Sequence, residues 1–236
     1  MKNQVCKPPK KGHRPFKPLT DQTIVTITVG QGNEAKDFLV AREYLISVSD
    51  YFANAFNGIF REAADKTISL ADVESKTFGI FIQWLQGRTL LDGNGEEYDA
   101  VKDKATDPDS GKKIIELLNL YIFGDEYDVP QFRRDVIDTF IGYQEKYPSL
   151  PGCDTITQAY ERLPASSPML QFLVDSWAFS PIGEGITNSG HETLPPRFLV
   201  DTMLRLLVTG NGSMENMNPY MQHCDYHEHN KTKREE

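Results

Sequence analysis

Residues 23–40 read T-I-V-T-I-T-V-G-Q-G-N-E-A-K-D-F-L-V, and this stretch decides the fold. In Thr23–Val29, threonine alternates with isoleucine or valine, which is the pattern of a β-strand with one buried face. Gly30–Asn33 is rich in turn-forming residues, and Lys36–Val40 continues as a second alternating segment. The stretch therefore predicts a β-hairpin.

Helical and strand patterns then alternate along the chain. Ser49 is a good N-cap for a helix over Asp50–Phe56, and Lys66–Leu70 alternates as a third strand. An amphipathic helix follows, beginning at Asp72 or Ser75. Apolar stripes and bounding prolines predict five more helices: from Lys112, from Asp128, and over Gln158–Leu163, Met169–Phe179 and Arg197–Leu207. We therefore expect an α+β fold, a small sheet flanked by a cluster of helices, with a C-terminal helical extension.

Composition divides the chain into four consecutive segments. We expect a disordered basic arm at 1–20, a folded domain at 21–142, a helical region at 143–210 and a disordered polar tail at 211–236. Within the domain, residues 87–111 show little apolar periodicity and are rich in Gly, Asp, Asn, Glu and Lys, so they predict a flexible exposed loop.

Charge is unevenly spread over the 236 residues, whose net charge is −9. Residues 1–20 hold six basic side chains and no acidic one, which leaves 19 basic against 34 acidic residues elsewhere. An acidic body repels phosphate backbones, so we expect no nucleic acid to bind the folded part. The basic arm is either a solvated tail, which its prolines favour, or a nuclear localisation segment.

Other classes of protein find little support in the sequence. No segment approaches the roughly 20 apolar residues of a membrane span, and residues 1–20 lack the apolar core of a secretory signal. The cysteines Cys6, Cys153 and Cys224 lie far apart and predict reduced thiols. We therefore expect an intracellular protein, cytoplasmic or nuclear, with no membrane partner.

Signatures of catalysis and of cofactor binding are also missing. The sequence has no phosphate-binding loop, no nucleophile elbow and no zinc-protease helix. Residues 223–229 (H-C-D-Y-H-E-H) contain side chains that can bind zinc, but they lie in a polar tail without a second group of ligands. We expect neither an enzyme, nor a metal site, nor a cofactor.

Several segments, taken together and in order, resemble the BTB/POZ family over roughly residues 21–142. The segments are FLVAREYL at 38–45, SDYF at 49–52, FNGIFRE at 56–62, TISL at 67–70, Phe78 through Leu85, and LYIFGDEYDVP at 120–130. The chain is most similar to small BTB proteins of filamentous fungi. Two positions depart from the family pattern: Ala41 stands where a histidine is usual, and Trp84–Gly87 is one residue short and lacks a tyrosine.

The resemblance implies a non-catalytic protein-interaction module and points to one partner-binding element. Cullin-binding members of the family carry a hydrophobic-x-Glu element before the third strand, and here Phe60 and Glu62 match it, with Phe56 beside them. An exposed phenylalanine is a compact apolar anchor. The alternative is that Phe60 packs in the core and that Glu62 is a surface charge surrounded by water. The matching function is a substrate adaptor of a cullin-type ubiquitin ligase.

BTB domains commonly dimerise, which suggests a second surface. An apolar face of the first helix with Tyr44, Leu45 and Val48 would supply buried area in a homodimer, and the exposed face of the first strand, near Thr23, could pair with a partner or a second copy. The same helical face could instead pack within the monomer. The alternative function is therefore a homotypic assembly or nuclear regulatory scaffold with no ubiquitin-ligase role.

Overall fold

A computed structural model describes residues 20–59, 61–87, 89–92, 95–98, 110–147, 150–179, 191–209 and 223–227. The strands are β1 Ile24–Val29, β2 Lys36–Ala41 and β3 Thr67–Leu70. The helices are α1 Arg42–Ile46, α2 Asp50–Asn57, α3 Arg61–Asp65, α4 Ser75–Gly87, α5 Ser110–Glu126, α6 Pro130–Lys146, α7 Cys153–Arg162, α8 Pro168–Ala178 and α9 Pro196–Thr209. Short 3₁₀ turns lie at Gly32–Glu34, His191–Thr193 and His223–Tyr226.

The sheet has the strand order β2-β1-β3, with β1 in the centre. Strands β1 and β2 pair antiparallel, with Val25 opposite Val40, which confirms the predicted hairpin. Strand β3 pairs with the other edge of β1 and runs parallel to it, with Ile27 opposite Ile68. Because both edges of β1 are paired, the expected contact of this strand with a partner or a second copy is left to the side chains of its exposed face.

The chain divides into two compact units that are interleaved in sequence. One unit, here called the sheet unit, comprises residues 7–103 and 119–139. The other, here called the helical unit, comprises residues 1–6, 104–118 and 140–236. Helices α5 and α6 therefore each have residues in both units, whereas composition suggests consecutive segments.

An aromatic cluster forms the core of the sheet unit. Its members are buried, and each of the others lies within ring-contact distance of Phe81: Phe52, Phe78, Phe81, Trp84, Phe123 and Phe132. The indole N–H of Trp84 donates to Asp135 Oδ2 over 2.8 Å, so the polar atom of this buried side chain is satisfied. The inner sheet face, including Val25 and Ile27, is also buried.

Position 124 on α5 leaves no room for a side chain. A Cβ atom at this position would lie 2.8 Å from Cγ of Arg133 and 3.3 Å from a ring carbon of Phe132. The backbone N–H of Val129 also donates to the Gly124 carbonyl over 2.8 Å. The absence of a side chain therefore allows the end of α5 to approach the start of α6 closely.

The helical unit is held by an apolar cluster and a buried charge. Ile156, Val174, Leu194 and Phe198 pack together, and Phe172 meets Phe140 with ring centroids 5.2 Å apart. The Asp175 carboxylate, 2% exposed, accepts hydrogen bonds from Arg205, Tyr226 and Gln171. A buried carboxylate with three donors is the kind of polar group that an interior tolerates.

Two segments expected to be disordered contain buried side chains. In the expected loop at 87–111, Leu90, Asp92 and Tyr98 are buried around a small bridge between Leu91 and Glu97. In the expected tail at 211–236, the ring of Tyr226 packs on Phe172, with centroids 5.3 Å apart. In both places, buried aromatic or leucine side chains stand among polar residues and leave no apolar periodicity in the sequence. The expected arm at 1–20, apart from Thr20, lies outside the described residues.

Candidate partner-binding surface

Helix α2 is fixed at its start by Ser49. Its hydroxyl oxygen accepts from the Phe52 backbone N–H over 3.1 Å, which confirms the predicted N-cap. The same hydroxyl donates to the Tyr127 carbonyl over 2.6 Å. The Phe52 ring stacks on Tyr127, with centroids 5.9 Å apart and planes 11° apart. Helix α2 therefore rests on a rigid aromatic base.

We expect Ser49→Ala to lower the free energy of unfolding by about 1–2 kcal/mol, because the cap and the bond to Tyr127 are both lost. Urea unfolding followed by circular dichroism measures this. The matched control is Ser47→Ala, since the exposed Ser47 hydroxyl also donates to a carbonyl, that of Tyr44. We expect the control to change stability by less than about 0.5 kcal/mol. Equal losses in both variants would contradict the capping role.

The end of α2 is held by Arg42. Its guanidinium donates to the Asn57 side-chain carbonyl and, over 3.5 Å, to the Phe56 backbone carbonyl. The same group pairs with Asp21 over 3.0 Å. Hydrogen bonds from Thr23, and then Arg42, lower the pKa of Asp21, which keeps this carboxylate ionised. These bonds fix where the chain leaves α2.

An exposed surface lies just beyond this point, and we call Tyr51, Ile59 and Glu62 the α2–α3 surface. Ile59 is 101% exposed and Tyr51 40% exposed, and Glu62 is also exposed on α3. Partial burial, and then the Glu62 carboxylate, raise the pKa of Tyr51, so this carboxylate lies near the phenol. The surface therefore combines an isoleucine, an aromatic ring and a negative charge.

The three predicted partner-binding residues have different environments. Glu62 is exposed, as a direct contact requires. Phe56 is 5% exposed and belongs to the core of the sheet unit, so it supports the surface from beneath. Phe60 lies outside the described residues. The sequence does not indicate that Ile59 and Tyr51 are exposed, because periodicity does not report which apolar side chains stay in water.

The three predicted dimer residues, two of them on α1 and Val48 just after its end, are also split between core and surface. Leu45 is fully buried, whereas Tyr44 and Val48 are half-buried. Leu45 therefore packs within the monomer, and only the other two retain surface for a second copy. The outer face of the sheet adds two exposed apolar side chains, Ile24 at 53% and Leu39 at 75%.

The helical unit contains a groove of about 530 Å³ between α7, α8 and α9. Its charged side chains include Arg197 with Asp201, paired at 3.6 Å, and Arg205, which pairs with Asp175 at 2.6 Å. A further acid, Asp225, also lines the groove. Within the described part of the chain, no three His, Cys, Asp or Glu side chains are grouped to hold a metal ion. None of the helices in that part is both long and apolar enough to cross a membrane.

The three-stranded sheet and the helices packed on it define the general class, a small α+β unit. The BTB/POZ domain family model matches residues 16–102, which lie within the sheet unit. The chain therefore carries a BTB/POZ domain, a protein-interaction module of a family that is generally non-catalytic. Among curated proteins, none matches this chain.

Proposed function

We propose that this protein is a substrate adaptor that binds a cullin-type ubiquitin-ligase scaffold through the α2–α3 surface. The observation that carries the proposal is Ile59, which is fully exposed next to the Phe60–Glu62 element and follows a helix held at both ends. Solvent exposure of a large apolar side chain beside a rigid element is typical of an interface anchor. We propose that the adaptor works inside the cell, in the cytoplasm or the nucleus.

The physical roles of the surface residues differ. Burying the Ile59 side chain against a partner would contribute about 1.5–3 kcal/mol, because its full apolar surface leaves water. Glu62 would set orientation and association rate through its charge rather than supply most of the affinity. Tyr51 offers a ring face and a neutral hydroxyl beside that charge.

We expect the purified chain to bind a cullin N-terminal domain and Ile59→Ala to weaken binding by about 10- to 30-fold, as loss of an interface anchor does. The pair Phe60→Ala with Glu62→Ala should weaken binding at least as much. Isothermal titration calorimetry measures the dissociation constants, and thermal unfolding checks that each variant is folded.

Two control variants match the changes in chemistry. Leu39→Ala removes another exposed apolar side chain, from β2, and Glu74→Ala removes an exposed acid before α4. Both should bind like the wild type. If the wild-type chain does not bind any cullin, or if the controls lose as much affinity as Ile59→Ala, the adaptor proposal is wrong.

A second candidate function is homotypic assembly, or a nuclear regulatory scaffold, without a ubiquitin-ligase role. The observation in its favour is the exposed apolar pair Ile24 and Leu39 on the outer sheet face. The half-buried Tyr44 on α1 and Val48 just after this helix supply further contact area. A wild-type chain that self-associates but ignores cullins, and becomes monomeric in the variant Leu39→Glu, would support this function over the first.

A further inference from the structure

Helix α9 turns its apolar side chains toward solvent. Seven of them, here called the α9 face, are exposed by 47% to 82%: Leu199, Val200, Met203, Leu204, Leu206, Leu207 and Val208. At 3.6 residues per turn, Val200, Met203 and Leu207 lie opposite the buried Phe198, and the other four lie to either side of these three. A surface helix normally shows the reverse arrangement, with its apolar stripe facing the core.

The orientation of α9 is held by contacts on its inner side. Phe198 is 1% exposed and packs with Ile156 and Val174. Arg205 Nε lies 2.6 Å from Asp175 Oδ1, and the Tyr160 hydroxyl donates to Asp201 over 3.1 Å. Rotating the helix to bury its apolar face would break both polar contacts and expose Phe198. The α9 face is therefore a fixed surface of the helical unit.

The size of the α9 face fits a protein interface. The seven side chains expose on the order of 700–800 Å² of apolar surface, which is about what one partner contributes to a stable interface of standard size. The largest apolar patch on a typical monomer is about 300–600 Å². A patch of this size is thus larger than a monomeric surface normally carries.

The chemistry of the α9 face indicates its occupant. From Leu199 to Val208, the charged residues of the helix are Asp201 and Arg205, and both are engaged on the inner side. A helix that lies on a membrane instead presents lysine and arginine on its polar face. Because the α9 face carries no charge, two copies of it do not repel each other. For the same reason it offers a different partner no charge to recognise.

We propose that the α9 face packs against the α9 face of a second copy of this chain, which forms a two-fold symmetric homodimer. Val200, Met203 and Leu207 follow the alternating three- and four-residue spacing with which paired helices interlock. A two-fold interface uses the same surface on both subunits, so one apolar face is sufficient. The pairing lies in the helical unit and does not depend on cullin binding by the sheet unit.

The first test is the mass of the full chain in solution, measured by light scattering over a range of concentrations. We expect the double variant Met203→Glu with Leu207→Glu to halve the mass of the wild-type assembly, because two carboxylates per subunit would be buried against each other. The control Ile115→Glu changes a partly exposed isoleucine on α5 and should leave the mass unchanged. A mass that is the same in the wild type and the double variant overturns the proposal.

The second test does not depend on how the glutamate variants fold. Met203 lies near the middle of α9, so it approaches its own copy in either a parallel or an antiparallel pair. In a chain with Cys6, Cys153 and Cys224 replaced by serine, Met203→Cys should be cross-linked to a dimer by a short bis-maleimide, and Ile115→Cys should not. Equal cross-linking of the two overturns the proposal, as does a monomeric wild type that binds anionic lipid vesicles through this face. Neither result affects the cullin titration.

Discussion

Replacing Phe81 with alanine should lower the free energy of unfolding of the sheet unit by about 3–5 kcal/mol. Phe81 is fully buried and its ring contacts five others: those of Phe52, Phe78, Trp84, Phe123 and Phe132. The loss combines the transfer free energy of a phenyl ring with the cost of the cavity it leaves. Because a domain is stable by only about 5–15 kcal/mol, this variant should unfold near ambient conditions.

The fluorescence of Trp84 makes the unfolding measurement specific to the sheet unit. Its ring stacks on Phe81 with centroids 5.9 Å apart, and the chain has two tryptophans in all. In a Trp177→Phe background, the fluorescence of Trp84 therefore follows unfolding around the mutated ring. Phe81→Leu should cost about half as much, since leucine refills part of the cavity. Leu39→Ala, at a 75% exposed position, should change stability by less than about 0.5 kcal/mol.

A loss below about 1 kcal/mol in Phe81→Ala would mean that the aromatic cluster is not the core of the unit. The same variant also bears on binding. Phe52 on α2 lies 6.5 Å from Phe81, ring centre to ring centre, so loosening the cluster loosens the support of the α2–α3 surface. Under conditions where it stays folded, Phe81→Ala should therefore also weaken cullin binding.

The parts of the fold that sequence predicted are those decided by neighbours along the chain. The β1–β2 hairpin needs one alternating pattern and a glycine turn, and both stand within residues 23–40. The start of α2 needs only the Ser49 hydroxyl and the backbone three residues later. Helices α4 through α9 follow from apolar periodicity, with bounds that shift by a few residues.

Pairings between distant segments left no such local signal. Strand β3 runs parallel to β1 and closes its second edge, although about 40 residues separate Ile27 from Ile68. The Ser49 hydroxyl also reaches the Tyr127 carbonyl, 78 residues away. Helices α5 and α6 each contribute residues to both units, and this division likewise depends on tertiary packing. Neither composition nor periodicity reports it.

For helix α9, the sequence predicts the helix correctly but not which of its sides is buried. The apolar spacing over Arg197–Leu207 predicts an amphipathic helix, and the usual expectation is that this face is buried. In the structure, the buried Asp175 holds Arg205 and Phe198 fills an apolar cluster, so the opposite face points inward. A charged group buried elsewhere in the fold thus decides which side of the helix meets water.

The α2–α3 surface was predictable only in outline. The tripeptide Phe60–Glu62 marks the segment by family resemblance, and the exposure of Glu62 agrees with that role. The isoleucine before it does not differ in type from a core residue. Its exposed side chain follows Gly58, whose extended backbone ends α2. Surface anchors of this kind are visible only once the fold is known.

Replacing Arg205 with methionine should lower the free energy of unfolding of the helical unit by about 3 kcal/mol. The Asp175 side chain is 3% exposed and the Arg205 side chain 31% exposed, so the variant leaves a carboxylate in the interior without its cation. Methionine keeps the unbranched volume of the arginine stem, so little of the loss comes from packing. Tyr226 continues to donate to the carboxylate over 2.9 Å, and burial and then Asp175 raise the pKa of Tyr226 and keep it a neutral donor.

A second substitution separates charge from packing. Asp175→Asn in the Arg205→Met background removes the buried charge but keeps a carbonyl that accepts from Tyr226, so we expect the double variant to recover about half of the loss. Unfolding in urea is followed by the fluorescence of Trp177, which lies in this unit, with Trp84 replaced by phenylalanine. The matched control is Arg197→Met on the same helix. Its ion pair with Asp201 is 3.6 Å long and exposed, so its loss should cost less than about 1 kcal/mol. If Arg205→Met were no more costly than Arg197→Met, the buried charge would not be what holds α9, and the α9 face would not be fixed toward solvent.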